Sequence, residues 1–288
     1  MLAASLKPLP MDNANTDLGN ARQLDNQCVL GNDDIHVWLI ALEASHSEQV
    51  IGTETLAFAE RERALRFKFE LDRARFLQRR VALRDILAPY LEVGPQDIEF
   101  RENEFGKPSV VTSAGHAGLS HSVSHSDAVA VVAVTRAGKI GVDVERVRHM
   151  TERDTIAARF FAPCEVESLR ALDQTEQLDG FFNVWTCKEA VVKALGGGLS
   201  IALDSFEVAV RLTEPPAILR WGVPGQATRP WRIHRLALES GYAGALAVDH
   251  EGMLAHTRRW PGCVQSLPAR GDASQYLNGS GCYPPAQP

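Results

Sequence analysis

Two stretches of this chain lie over each other without a gap. "FLQRRVALRDIL" (76–87) matches "WTCKEAVVKALG" (185–196) at a constant offset of 109, with Phe76 on Trp185, Arg79 on Lys188 and Arg84 on Lys193. Where the two differ, Arg80 faces Glu189, a base against an acid. Strand-like runs recur in similar order around each stretch. A chain of 288 residues suits one large domain or two modest ones. Taken as a repeat, the match divides it into two similar α+β lobes with a cleft between them, and such clefts are common ligand sites.

The remaining pattern fills in the lobes. "IHVWLIAL" (35–42) reads as a buried strand. Residues 54–91 read as a long helical region that ends at Pro89. "DIEFRENEFGKPSVV" (97–111) reads as strands around a Gly-Lys-Pro turn. "DAVAVVAVTRAGKIGVDVERV" (127–147), two β-branched runs around "RAGK", reads as a hairpin. Residues 155–172 and 177–196 read as helices, the second capped by Gly196. "SFEVAVRL", "WRIHRLAL" and "YAGALAVDH" complete a sheet. The expected organisation is an irregular segment 1–33, an N-terminal lobe 34–139, a C-terminal lobe 140–258 and a Pro/Gly-rich tail 259–288.

Charge narrows the partners. The net charge of −6 argues against nucleic acid as a general partner. Residues 61–84 run the other way, with nine Lys or Arg against three acids, which marks a site for a polyanion. The five cysteines are widely spaced, with no Cys-x-x-Cys pair, which points to reduced thiols in the cytoplasm. The N-terminus lacks the apolar core of a signal peptide. No apolar run approaches the roughly 20 residues of a membrane span.

Several residues carry chemistry. In "GVDVE" (141–145), Asp143 and Glu145 sit two apart in an apolar stretch, so on a strand they share one face. Two carboxylates so placed repel unless a hard cation such as Mg²⁺ joins them or the strand edge is solvated. Apolar Val142 and Val144 then face the core, and Gly141 leaves room beside the metal. Glu189 and Lys193, four apart, share a helix face, either as a surface ion pair or as part of a site. The glycine-dense "ALGGGLS" after Lys193 lets a ligand approach the backbone. In "LSHSVSHS" (119–126), His121, Val123 and His125 fall on one strand face, where Ser and His suit phosphate better than a metal pair; a satisfied core histidine is the other reading. Lys107, before Pro108, is held in an extended turn.

The order of these pieces is more specific than any one of them. "GKP" (106–108), "SVSHS" (122–126), "IGVDVE" (140–145), "RFFAPCE" (159–165) and the gapless "WTCKEAVVKALGGGLSIALDSF" (185–206) together resemble the 4′-phosphopantetheinyl transferases of the Sfp (surfactin-activating) type, in the holo-carrier-protein synthase superfamily. The resemblance covers about 56–250 and implies an α+β pseudo-dimer of two lobes with the active site between them. It implies that Asp143, Glu145 and Glu189 bind Mg²⁺, with Mn²⁺ a possible substitute. It also implies that Lys193, Ser122, Ser124, His125 and Lys107 contact coenzyme A, and that Arg63 and Arg75 meet its 3′-phosphate, with Arg61 and Arg66 as alternatives after a small shift. His121 stands where an aromatic or apolar residue is commoner and receives no role; the tail past 258 has no counterpart.

The implied reaction moves the 4′-phosphopantetheine arm of coenzyme A onto a serine of an acyl, polyketide or peptidyl carrier protein and releases 3′,5′-ADP. Glu189 and Lys193 are the catalytic residues, with Glu189 or a water on the metal as base. A cytoplasmic monomer is expected, with neither nucleic acid nor membrane as partner. Two other readings stay open: a metal-dependent nucleotide pyrophosphohydrolase, and a non-catalytic module that binds coenzyme A or a carrier.

Overall fold

A computed structural model of the chain describes residues 29–111 and 118–262. Most of the expected irregular N-terminal segment and of the expected tail lie outside the described residues. In chain order the elements are β1 (Asp34–Ala41), α1 (Phe58–Leu65), α2 (Glu70–Leu91), β2 (Phe100–Glu102), β3 (Pro108–Val110), β4 (Ser120–Ser126), β5 (Val129–Thr135) and β6 (Ile140–Arg146). There follow α3 (Arg153–Phe160), α4 (Pro163–Arg170), α5 (Gln177–Leu195), β7 (Phe206–Val208), β8 (Ile218–Trp221), β9 (Arg232–Arg235), β10 (Tyr242–Val248) and β11 (Leu254–Arg259). The class is α+β. One sheet runs β11-β1-β5-β4 and a second runs β6-β10-β9. The pairs β2–β3 and β7–β8 form separate two-stranded sheets.

Strand alternation builds four layers. Trp38 and Ile40 of β1 and Ala130, Val132 and Val134 of β5 pack against Phe76, Val81, Leu87 and Tyr90 of α2. The opposite faces of the same strands, through Ile35, Val37, Val131 and Ala133, meet Val142 and Val144 of β6 and Leu246 and Val248 of β10. The far side of the second sheet, with Ile233, Ala245 and Ala247, packs against Val184, Val191 and Ala194 of α5. The order is therefore helix, sheet, sheet, helix. Each fully buried aliphatic side chain contributes about 1.5–3 kcal/mol, so the two sheets are bound chiefly by this middle layer.

Four expectations change. β5 and β6 do not form a hairpin: β5 pairs with β1 and β4, and β6 pairs with β10. Residues 130–135 are buried on both faces, as a central strand requires, so "RAGK" passes from one sheet to the other. The helix expected over 155–172 is two helices, because Ala162 before Pro163 is extended (φ −64°, ψ 149°) and Pro163 opens α4. The region 54–91 likewise divides at Phe69, which is extended (φ −102°, ψ 137°) ahead of α2. Finally, β11, which spans the expected boundary at 258, returns to the first sheet as a parallel edge beside β1. By contrast, α5 begins at Gln177 and ends at Gly196, whose left-handed φ of 77° makes the C-cap.

One glycine sets the distance between β6 and α5. A Cβ on Gly141 would lie 2.0 Å from the Ala190 carbonyl oxygen and 2.3 Å from the Ala194 nitrogen. The space beside Gly141 is thus taken by helix backbone, where the sequence reading had placed a ligand. Gly141→Ala must push α5 off the sheet. It should lower stability by about 3 kcal/mol in urea unfolding followed by circular dichroism.

A second prediction concerns His36, which is buried with Nδ1 2.6 Å from the Tyr90 hydroxyl. Burial, then the neighbouring Arg258, holds its pKa at about 4, against 6.5 for a free histidine. The unfolded chain therefore takes up this proton first. The stabilising share of His36 is full above pH 6.5 and is lost as pH falls towards 4. Titration by nuclear magnetic resonance should place the His36 ring midpoint near 4.

Candidate active site

The acids come together where β6 lies under α5. Val142 and Val144 point into the layer between the sheets, so Asp143 and Glu145 face the other way. Asp143 is 3% exposed. Lys193 Nζ, from α5, donates to Asp143 Oδ1 at 2.6 Å and to Ser124 Oγ at 2.8 Å. Asp143 Oδ2 is buried and has no hydrogen-bond partner. Burial pushes the Asp143 carboxyl above its ordinary range, against the pull of Lys193 and Ser124. Burial also raises Glu189, and the charge of Asp143 adds to it. Glu145 is raised by burial, with its bond from Ser126 opposing.

Among the described residues no three His, Cys, Asp or Glu side chains form a ready-made metal cluster. Lys193 occupies Asp143 instead. The buried partnerless Oδ2, with two further carboxylates within electrostatic reach, is an all-oxygen donor set that fits a hard divalent cation.

The serines of β4 do something the sequence did not disclose. β4 and β6 are edge strands of different sheets. Ser122 Oγ accepts from Val142 N–H (3.0 Å), Ser124 Oγ from Val144 N–H (3.3 Å) and Ser126 Oγ from Arg146 N–H (3.0 Å). Ser124 Oγ donates to Asp143 Oδ1 and Ser126 Oγ to Glu145 Oε2, each at 2.8 Å. These hydroxyls satisfy the β6 edge and orient the acids together. Ser126 was not singled out from sequence; its signal is a third serine at period two in a strand.

The basic segment sorts itself by pairing. Arg84 and Arg80 bind Glu60, Arg73 binds Glu70 at 2.9 Å, and Arg75 binds Asp127 at 2.7 Å. Arg75 is therefore tied to the β4–β5 turn. Arg63 and Arg79 both stack on Phe76, each with its guanidinium carbon 5.6 Å from the ring centre. Neither has an ion-pair partner among the described residues. Burial, then Arg80 and Arg63, brings Arg79 down to about 10. His125 is pushed down by burial and by Arg79 and Lys193. Arg63, Arg79 and Lys193 thus form a basic track, with an uncharged His125 between Arg79 and Lys193. Arg79 is the member that sequence reasoning passed over, because nine bases in one segment look alike.

Lys107 and Asn103 dock the β2–β3 hairpin on α5. Lys107 Nζ donates to the carbonyls of Ile140 (3.2 Å) and Ala194 (3.3 Å), and Asn103 Nδ2 donates to that of Gly196 (2.9 Å). Burial, then Lys139, lowers the Lys107 pKa to about 8. Between the hairpin, β4 and α5 lies a cavity of about 650 Å³, lined among others by Lys107, His121, Ser122, Glu189, Lys193 and Gly198. Its lining also includes Leu203 and Asp204, beside which Lys188 holds the chain: its buried Nζ donates to the carbonyls of Leu203 (2.7 Å) and Phe206 (2.5 Å) and pairs with Glu165 at 2.9 Å. None of the described helices is long and apolar enough to cross a membrane.

Comparison with known proteins places the chain in a family. Residues 139–247 match the family model of the 4′-phosphopantetheinyl transferase superfamily, and residues 42–137 match that of the 4′-phosphopantetheinyl transferase N-terminal region. The chain is 36% identical over 216 residues to the 4′-phosphopantetheinyl transferase HetI of Nostoc sp., covering 75% of this chain and 88% of that protein. It is 34% identical over 191 residues to the 4′-phosphopantetheinyl transferase Sfp of Bacillus subtilis, covering 66% and 80%. Among solved structures, the Thermotoga maritima holo-[acyl-carrier-protein] synthase overlays on 38% of this chain and 61% of that one, with 19% identity and a TM-score of 0.30, an overlap too partial to define fold detail. On the matches to both family models and to these two relatives, the chain belongs to the 4′-phosphopantetheinyl transferase superfamily and is of its Sfp type.

Proposed function

We propose that this chain transfers the 4′-phosphopantetheine arm of coenzyme A to a serine of an apo carrier protein, in a cleft formed where two helix-on-sheet halves of a pseudo-dimer meet. The observation that carries the reading is the meeting of Asp143, Lys193 and Ser124 beside Glu145 and Glu189, at the end of an unpaired cationic track. The halves correspond to 34–139 and 140–258, with β11 returning to the first. A monomer follows, since the two halves already supply both sides of the cleft.

The co-substrate lies along the track. Arg63, Arg79 and His125 hold its 3′-phosphate, with Arg75 steadying the turn beside His125 through Asp127. Lys193 exchanges Asp143 for the pyrophosphate oxygens. Mg²⁺, held by Asp143, Glu145 and Glu189, neutralises charge on those oxygens when bound. The carrier serine oxygen bonds to the phosphorus that bears the arm, the bond to the bridging pyrophosphate oxygen breaks, and 3′,5′-ADP leaves. The serine proton passes to Glu189, which stands within electrostatic reach of Lys193 and Asp143. Lys107 acts by fixing the hairpin that walls the cavity.

Purified protein incubated with coenzyme A, Mg²⁺ and an apo carrier should add one phosphopantetheine mass to the carrier, and chelation of the metal should stop it. Asp143→Ala and Glu189→Ala should each lower transfer by at least about a hundredfold while the circular dichroism spectrum persists. Full turnover in chelator would overturn the metal role.

The track is tested separately. Arg63→Glu with Arg79→Glu should raise the KM for coenzyme A about tenfold or more. The same pair should change the KM for dephospho-coenzyme A, which lacks the 3′-phosphate, much less. Equal losses with both would remove the assignment.

A further inference from the structure

His121 takes no part in the site described above. It lies on β4, is 4% exposed, and its Nε2 is buried with no hydrogen-bond partner. Leaving a buried polar group unpaired is costly, and folded proteins seldom leave one. The ring is not sealed in the core, since it lines the cavity together with Lys107, Ser122 and Val123. Phe100 packs edge-on against it, with ring centres 6.1 Å apart, which fixes its plane. Burial, then Lys107 and Arg80, holds its pKa at about 4, so at neutral pH it offers one N–H and one lone pair.

Its place along β4 says what could meet it. His125 stands next to Arg79, and Ser124 binds Lys193 and Asp143. His121 is three residues further back, roughly 10 Å along a strand. The cavity's lining includes Glu189 and Lys193 and does not include Arg63, Arg79 or His125. A co-substrate with its 3′-phosphate on the basic track and its pyrophosphate at Lys193 enters the cavity with its other end. That end is the pantetheine arm, an aliphatic chain with amides and a hydroxyl. The cavity gives it apolar walls in Phe105, Phe160, Val192 and Leu203.

We propose that His121 hydrogen-bonds a polar group of the phosphopantetheine arm and so fixes how the arm lies in the cavity. The proposal rests on the transferase reading above and adds to it a specificity-determining residue.

The test uses the full chain with Mg²⁺, titrated by calorimetry with coenzyme A and with 3′,5′-ADP, which has no arm. His121→Phe should weaken coenzyme A about three- to tenfold and leave 3′,5′-ADP within about twofold. Its melting temperature should not fall, because an unpaired nitrogen is removed. His121→Leu should behave alike if the larger ring fits poorly, and His121→Gln, which again offers a donor and an acceptor, should recover part of the lost affinity. Unchanged coenzyme A affinity in the Phe and Leu variants, or equal weakening of both ligands, overturns the proposal. Transfer by the unaltered chain to an apo carrier is scored separately: its absence removes the transferase reading, whereas the comparison of the two ligands judges His121 on binding alone.

Discussion

Two sheet edges meet in this molecule without pairing, and the site depends on how they do so. Direct ladder bonds between β4 and β6 would merge the sheets into one and close the space beside Asp143. Instead the hydroxyls of Ser122, Ser124 and Ser126 accept the outward N–H groups of β6. The edge is satisfied, as an exposed edge must be, while the sheets remain free to stack over Ile35, Val37, Val142 and Val144. Because Ser124 and Ser126 also donate to Asp143 and Glu145, the contact that joins the halves is the contact that aims the acids.

Around that seam, charge is arranged to be incomplete. Three carboxylates are desolvated, and each is raised by burial, yet Lys193 bonds directly to one of them, Asp143. Removing a partner from a buried ion pair is costly, so Lys193 can leave Asp143 only if something positive takes its place. Asp143, Glu145 and Glu189 would hold a divalent cation that supplies this positive charge, leaving Lys193 to meet phosphate oxygens. Close packing holds the frame while the charges move: Gly141 lets α5 touch β6, and Lys188 ties α5 to the segment 203–206.

Much of this was legible in the chain. Asp143, Glu145, Glu189 and Lys193 stood out because their spacings on a strand and a helix give shared faces, and local geometry alone decides that. Gly196 as a cap was legible for the same reason. What escaped was set by distant partners. The run Val129–Thr135 is apolar on both faces and would suit a central strand in either sheet, so its separation from β6 could not be read locally. Arg79 became distinct only when Glu60, Glu70 and Asp127 claimed its neighbours. The serines showed their spacing, but only the approach of β6 showed what they accept. The room expected beside Gly141 proved to belong to a helix.

The central proposal is that Asp143, Glu145 and Glu189 would hold a divalent cation, with Lys193 turned from Asp143 to the co-substrate's phosphates. A crystal structure of the chain with Mn²⁺ and coenzyme A, read by anomalous scattering, tests this most directly. The account predicts a manganese peak among Asp143, Glu145 and Glu189, with Lys193 Nζ moved from Asp143 to a pyrophosphate oxygen. A coenzyme-bound structure with Lys193 still on Asp143 and no manganese at these acids would contradict it.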